Sequence, residues 1–165
     1  MAAANAVVST LRPGDLVVAG RGLYGGVASL LRQQGQQLGL SVNWVDSADP
    51  SSLAAALQPN TSLVWLEVAS NPTLDILDLR QAVELVRAAA PAATILVDNT
   101  FLTPWVLRPL QLGVDIVLHS VTKYISGHSD VIMGALLGEI CEYPGAGSSP
   151  LKQKIQNASL PFNAF

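Results

Sequence analysis

Ser62-Leu63-Val64-Trp65-Leu66-Glu67 and Thr94-Ile95-Leu96-Val97, the latter ending at Asp98, are short apolar runs that each end on an acid. Neither alternates between apolar and polar residues. A strand that is apolar on both sides belongs in a parallel sheet covered on both faces by helices. Leu79 to Ala89 lies between the two runs and reads as a helix. Asp78 is available as its cap, and Leu79, Val83 and Val86 share one side. Strand, helix, strand is therefore the repeating unit.

The same alternation extends in both directions. Upstream, Leu16 to Ala19 reads as a strand, a glycine-rich turn follows, and Val27 to Leu38 reads as a helix. Ser41 to Val45 is a strand ending at Asp46. Pro50 to Leu57 is a short helix with Ser47 or Asp49 available as N-cap. Downstream, Asp115 to His119 and Val131 to Leu137 read as strands. Met1 to Leu11 reads as a helix with Arg12 at its C-terminal end and Pro13-Gly14 stopping it. Tyr143 to Pro150 reads as a loop, and Lys152 to Ala158 as the start of a helix. The fold class is α/β: a mostly parallel sheet with helices on both faces, doubly wound.

Composition narrows the function classes. The chain has 165 residues, half of them hydrophobic, and a formal net charge of −3. That length suits one domain, and the apolar content excludes disorder. No basic stripe is present for a nucleic-acid backbone. No uninterrupted apolar run reaches the ~18 residues of a membrane span. Cys141 is the only cysteine, so no disulfide framework points to secretion. The apolar N-terminus lacks the basic first segment of a signal peptide. A cytoplasmic location is the expectation. Only 13% of residues are charged, which leaves apolar surface for a partner or further chain to cover.

Ligands of open α/β sheets bind at the carboxyl ends of the strands. The segments to read are Gly20 to Gly26, Asp46, Glu67 to Asn71, Asp98 to Phe101 and His119 to Asp130. Gly20, Gly22 and Gly25 spell G-x-G-x-x-G, and Asp46 stands where a ribose-binding acid would sit, so a dinucleotide site is one reading. A Rossmann domain would begin with this strand, however, and here a helix precedes it. A glycine-rich connecting turn accounts for the same residues.

The second reading starts from Ser120, Thr122 and Lys123. A lysine at a strand end can form a Schiff base with an aldehyde cofactor. The two hydroxyls can donate to that cofactor's phosphate. Asp98 can pair with a pyridinium nitrogen and keep the ring an electron sink. Tyr24 can stack on the ring, and Asn71 can donate to its phenolic oxygen. Each residue also has a plainer role: a solvated lysine, a turn acid, a packing ring, turn hydroxyls. Glu67 reads as an anchor for the adjacent loop, and His128 as a structural hydrogen-bonder. His119 and His128 alone make a metal site a poor reading.

Four segments occur in one order: Tyr24-Gly25-Gly26, Glu67 to Leu74, Val97 to Phe101 and His119 to Gly134. With these segments the sequence resembles the pyridoxal-phosphate enzymes of cysteine and methionine metabolism, the trans-sulfuration family. The resemblance runs from Met1 to about Glu139 and resumes weakly in Lys152 to Phe165. It implies a fold-type I large domain and pyridoxal 5′-phosphate as cofactor. It also implies a sulfur amino-acid substrate, γ-elimination or γ-replacement chemistry nearest cystathionine γ-lyase, and a homotetramer. Lys123 would carry the cofactor and shuttle protons. Asp98 would pair with the ring nitrogen, and Asn71 would contact the ring oxygen. Tyr24 would stack on the ring and assist proton transfer. Ser120 and Thr122 would bind phosphate, helped by the backbone at Met1.

The departures from the family are informative. Family chains are far longer, so residues 1–165 read as an incomplete large domain. The N-terminal arm and the C-terminal small domain, with its carboxylate-binding arginine, are expected outside it. Gly20-Arg21-Gly22-Leu23 replaces the usual acidic residues before the tyrosine turn. Val68-Ala69 replaces the usual hydroxyl-proline step after the glutamate.

Overall fold

The structure is a computed structural model that describes residues 1–138. The readings at Cys141, Tyr143 to Pro150 and Lys152 to Phe165 lie outside the described residues. Six strands form one sheet in the order β2-β1-β3-β4-β5-β6. These are β1 (Leu16–Gly20), β2 (Ser41–Val45), β3 (Thr61–Glu67), β4 (Thr94–Asp98), β5 (Ile116–Ser120) and β6 (Gly134–Gly138). The first five run parallel, and β6 pairs antiparallel with β5. The mostly parallel α/β sheet is therefore the fold.

Helices cover both faces. Alternate strand residues Val18, Val64, Leu66, Ile95 and Val97 pack against α3 (Pro50–Ala56) and α4 (Leu79–Ala89). Their neighbours Val17, Ala19, Leu63, Trp65 and Leu96 pack against α1 (Ala2–Val8) and α2 (Gly25–Leu38). Both faces of β3 and β4 are thus apolar because both are covered, as the unbroken runs imply. Local signals set the helix ends. The Asp49 and Asp78 carboxylates accept N–H bonds from Ser51 and Gln81 at the starts of α3 and α4. Gly39 ends α2 at φ +66°, a conformation glycine adopts without steric cost.

Several expected boundaries are corrected. The first helix stops at Val8, so Arg12 lies beyond its last turn; the Arg12 N–H donates to the Asp15 carboxylate in the following turn. The last described strand starts at Gly134, not at Val131. The Thr122 hydroxyl takes up both the N–H and the C=O of Met133, drawing that residue toward the β5–β6 loop. Two short helices escaped the periodicity: α5 (Thr103–Val106) and a 3-10 turn at Pro109–Leu112. Four residues are too few to show a helical stripe. Their register is fixed by buried Asn99, whose amide donates to the carbonyls of Thr103 and Leu107.

The strand order reverses between β1 and β3, and that switch point is where such sheets take ligands. The glycine turn after β1 and the loop after β3 flank it. No helix among the described residues is long and apolar enough to cross a membrane.

Candidate active site

Register builds the centre of the site. Glu67 pairs with Asp98 across β3 and β4, and Asp98 pairs with Leu118 across β4 and β5. Paired residues of a parallel sheet point to the same side. Glu67 and Asp98 therefore stand side by side at the carboxyl edge, above Trp65 and Leu96. Ser120 closes the row two residues past Leu118.

Thr100 locks this row. Its hydroxyl and its N–H both donate to Asp98 Oδ1, at 2.5 and 3.0 Å. The same hydroxyl oxygen accepts the Ser120 N–H at 2.7 Å. Both bonds to Asp98 fall on Oδ1, so Oδ2 receives none from the described residues. Asp98 is buried. Burial pushes its carboxyl above the usual range, while Thr100 and, less, His119 pull it down. Burial lowers the His119 imidazole, against the attraction of Asp98. Burial first, and Asp98 second, push Glu67 up to about 7, against the lowering effect of the Tyr24 N–H. Adjacent acids in a low dielectric cannot both ionise freely.

Tyr24 is the N-cap of α2, and its N–H donates to Glu67 Oε2 at 2.9 Å. Its ring is exposed. A Cβ on Gly26 would meet Tyr24 Cε1 at 2.6 Å and Met1 Sδ at 3.1 Å. Met1, Tyr24 and Gly26 are therefore one cluster, and a larger residue at Gly26 would displace the tyrosine ring. Gly22 is required by the opposite loop, since a Cβ would lie 2.8 Å from Ser70 Cβ. Two glycines of this turn thus answer to side chains of this chain. Asp46 is likewise engaged locally, accepting the Ala48 N–H.

The lysine loop completes the site. The Lys123 N–H donates to the Ser120 carbonyl, and the Gly127 N–H donates to that of Lys123. Tyr124 meets Phe101 edge to face at 6.4 Å, tying this loop to the end of β4. The Lys123 side chain is exposed and has no bonding partner among the described residues, nor has the Ser120 hydroxyl. The Thr122 hydroxyl is occupied by Met133. Asn71 is exposed in the turn after β3, with no side-chain bond among the described residues. His128 Nδ1 bonds the Ser126 carbonyl at 2.6 Å, a structural role.

The structure thus brings Asp98, Ser120, Tyr24 and Met1 to one edge and leaves Lys123 and Asn71 on exposed loops above it. Sequence reasoning missed Thr100 as the link between Asp98 and Ser120. Its only signal was a hydroxyl two residues after the acid. A cavity of about 200 Å³, with Glu67 itself in its wall, opens on the side of that residue away from Asp98. It is lined by Arg21, Asp46, Ser70 and Asp75, and not by Asp98 or Lys123. No group of three or more metal-ligating side chains occurs among the described residues.

A buried acid with an unbonded oxygen, a free amine, a free hydroxyl and an exposed ring at one strand edge are the groups a pyridinium aldehyde phosphate needs. The comparisons agree. The chain belongs to the Cys/Met metabolism PLP-dependent enzyme family, whose model matches residues 1–165. It is 41% identical over 138 residues to L-methionine gamma-lyase of Treponema denticola, covering 84% of this chain and 34% of that one. It is 39% identical over 142 residues to human cystathionine gamma-lyase, covering 86% and 35%. The crystal structure of cystathionine gamma synthase from Xanthomonas oryzae pv. oryzae, in complex with cystathionine, is similar with a TM-score of 0.81 and 40% identity. The match covers 93% of this chain and 37% of that one. The chain spans about a third of the length of the curated relatives it matches. The dinucleotide reading is set aside by these matches.

Proposed function

We propose that residues 1–165 are part of the large domain of a trans-sulfuration enzyme, nearest cystathionine γ-lyase, acting in the cytoplasm as a homotetramer on cystathionine or a related sulfur amino acid. The observation that carries this reading is Asp98: a buried carboxyl at a parallel-strand end, bonded through one oxygen only among the described residues, with a lysine on the adjoining loop that has no side-chain partner among them.

When bound, the cofactor supplies an electron sink for the pair released as a Cα–H bond breaks. The chain's own residues do the rest. Lys123 Nζ would hold the cofactor aldehyde and would move protons at Cα and Cβ. Asp98 would pair as an anion with the ring nitrogen and keep a proton there. Ser120 Oγ donates to the phosphate with the Met1 backbone near it. Thr122 Oγ1 joins by turning its proton away from the Met133 carbonyl. Tyr24 covers the ring face and assists proton transfer to the leaving group. Asn71 donates to the ring oxygen. The similar relatives carry out different eliminations and replacements at nearly equal identity, so the choice of γ-elimination rests on general likeness.

The test is a titration of the 165-residue chain with pyridoxal 5′-phosphate. The expected result is a yellow band that saturates at one site, is fixed by borohydride, and is lost completely in Lys123→Ala while the far-UV spectrum is unchanged. No Lys123-dependent band overturns the reading and makes the chain a non-catalytic relative.

A further inference from the structure

Glu67 stands between the two halves of the site. Tyr24 has its carbonyl fixed by the first turn of α2, where it accepts the N–H groups of Val27 and Ala28. Its N–H goes to Glu67. No other side chain among the described residues bonds Tyr24. With Gly26 clearing space for the ring, the main chain of Tyr24 sets where that ring lies. On its other side Glu67 is the register neighbour of Asp98.

We propose that Glu67 is a positioning residue: its carboxylate holds Tyr24 by the main chain and responds to the charge placed beside Asp98, so that seating of the tyrosine and capture of a cationic ring are one proton-linked event. This rests on the roles given above to Asp98 and Tyr24.

The electrostatics support the linkage. The charged groups around Glu67 are few. Asp98 is beside it on β4, with His119 beyond on β5. Arg21, Asp46 and Asp75 line the cavity on its far side. Only Asp98 perturbs it by charge, and in the direction that keeps a proton on Glu67. A protonated carboxyl accepts the Tyr24 N–H as a neutral group. An ionised one makes a charge-assisted bond, roughly twice as strong. A cation paired with Asp98 cancels the repulsion between the acids. Burial still favours the protonated form, but with the repulsion gone Glu67 ionises more readily and its bond to Tyr24 strengthens. By reciprocity, conditions that keep Glu67 protonated weaken capture of the ring.

The experiment uses the full chain and pyridoxal 5′-phosphate itself. Without cofactor, the Tyr24 amide resonance is expected to titrate with a midpoint near 7, the value for Glu67, and to be flat in Glu67→Gln. With cofactor, affinity relative to Glu67→Gln is expected to fall between about pH 8 and pH 6, by up to about tenfold, the limit set by the ionised fraction. Glu67→Gln keeps an acceptor for the amide and so keeps affinity at low pH. Glu67→Ala removes the acceptor and weakens binding at every pH. The ratio to Glu67→Gln cancels the titration of the cofactor's own phosphate. A flat Tyr24 amide, an unchanged inflection in Glu67→Gln, or parallel affinity curves for the two chains each overturn the proposal. A chain that takes up no cofactor overturns the proposed function and the linkage together. A chain that takes it up with a flat Tyr24 amide overturns this inference alone.

Discussion

The two ends of β4 carry the same chemistry arranged in opposite ways. At the start of the strand, Asp115 accepts the Ile95 N–H at 2.8 Å and meets the Arg87 guanidinium at 2.7 Å. Arg87 spends its other donors on the carbonyls of Ala93 and Gly113. At the finish of the strand, Asp98 has no lysine or arginine partner among the described residues, only His119, whose imidazole burial holds toward its neutral form, and it has a second acid beside it. One end has its charges matched within the described residues. The other leaves negative charge unmatched in a low dielectric, which is the arrangement expected where a cationic group is to be received.

The largest effect that would break this comparison is on cofactor affinity. Asp98→Asn keeps the shape and removes the charge. It is expected to weaken pyridoxal-phosphate binding by about 3 kcal/mol, roughly 100-fold, with the apo chain no less stable; unchanged affinity in a spectral titration would contradict it. Next comes the matched end. Arg87→Met is expected to cost about 2 kcal/mol in urea unfolding, because Asp115 and two carbonyls lose a shared donor. Cofactor affinity should not move.

A smaller effect tests the unmatched charge directly. Glu67 holds its proton up to about 7 in the folded chain, against an ordinary 4.5. The folded state is therefore favoured below 4.5, and that stability is lost as pH rises through 7. Glu67→Gln does not bear this loss. Its stability advantage over the parent is expected to grow to about 1–2 kcal/mol between about pH 5 and pH 8. His119 acts in the opposite direction, losing stability as pH falls, but it is common to both chains and cancels in the difference. Melting curves at the two pH values decide it. The smallest effect is in the loop beside Glu67. Ala69 sits at φ +57°, where a Cβ crowds the backbone. Ala69→Gly is expected to gain about 0.5 kcal/mol, net of the freedom glycine adds to the unfolded chain.

The legible parts were those with a repeated physical signature. Leu63 to Leu66 and Ile95 to Val97 had to be buried on both sides, which fixed the sheet type. Asp78 was legible as a cap, and the cap of the Pro50 helix was narrowed to Ser47 or Asp49, of which the structure uses Asp49. Asp98 and Ser120 were legible as strand-end residues, because sheets of this type present ligand groups there. What was not legible depends on pairing between distant segments. Nothing local in Glu67 announces that its register partner is Asp98, nor in Thr100 that its hydroxyl bridges Asp98 and the Ser120 amide. Met133 reads as a strand residue until the Thr122 side chain is seen to claim its backbone. The glycine turn misled for a related reason: Gly22 is small because of Ser70, which lies on another loop.

The bonds that assemble this edge, Tyr24 with Glu67 and Thr100 with Ser120, join residues 43 and 20 apart in the chain. Each closes only after a crossover between parallel strands is in place, and such non-local strand pairing is slow compared with forming a local helix. The edge is then among the last parts to form during refolding. A pulse-labelling experiment should find the α4 amides protected early and the Tyr24 amide protected late. The groups assigned to chemistry would thus come together at the end of folding.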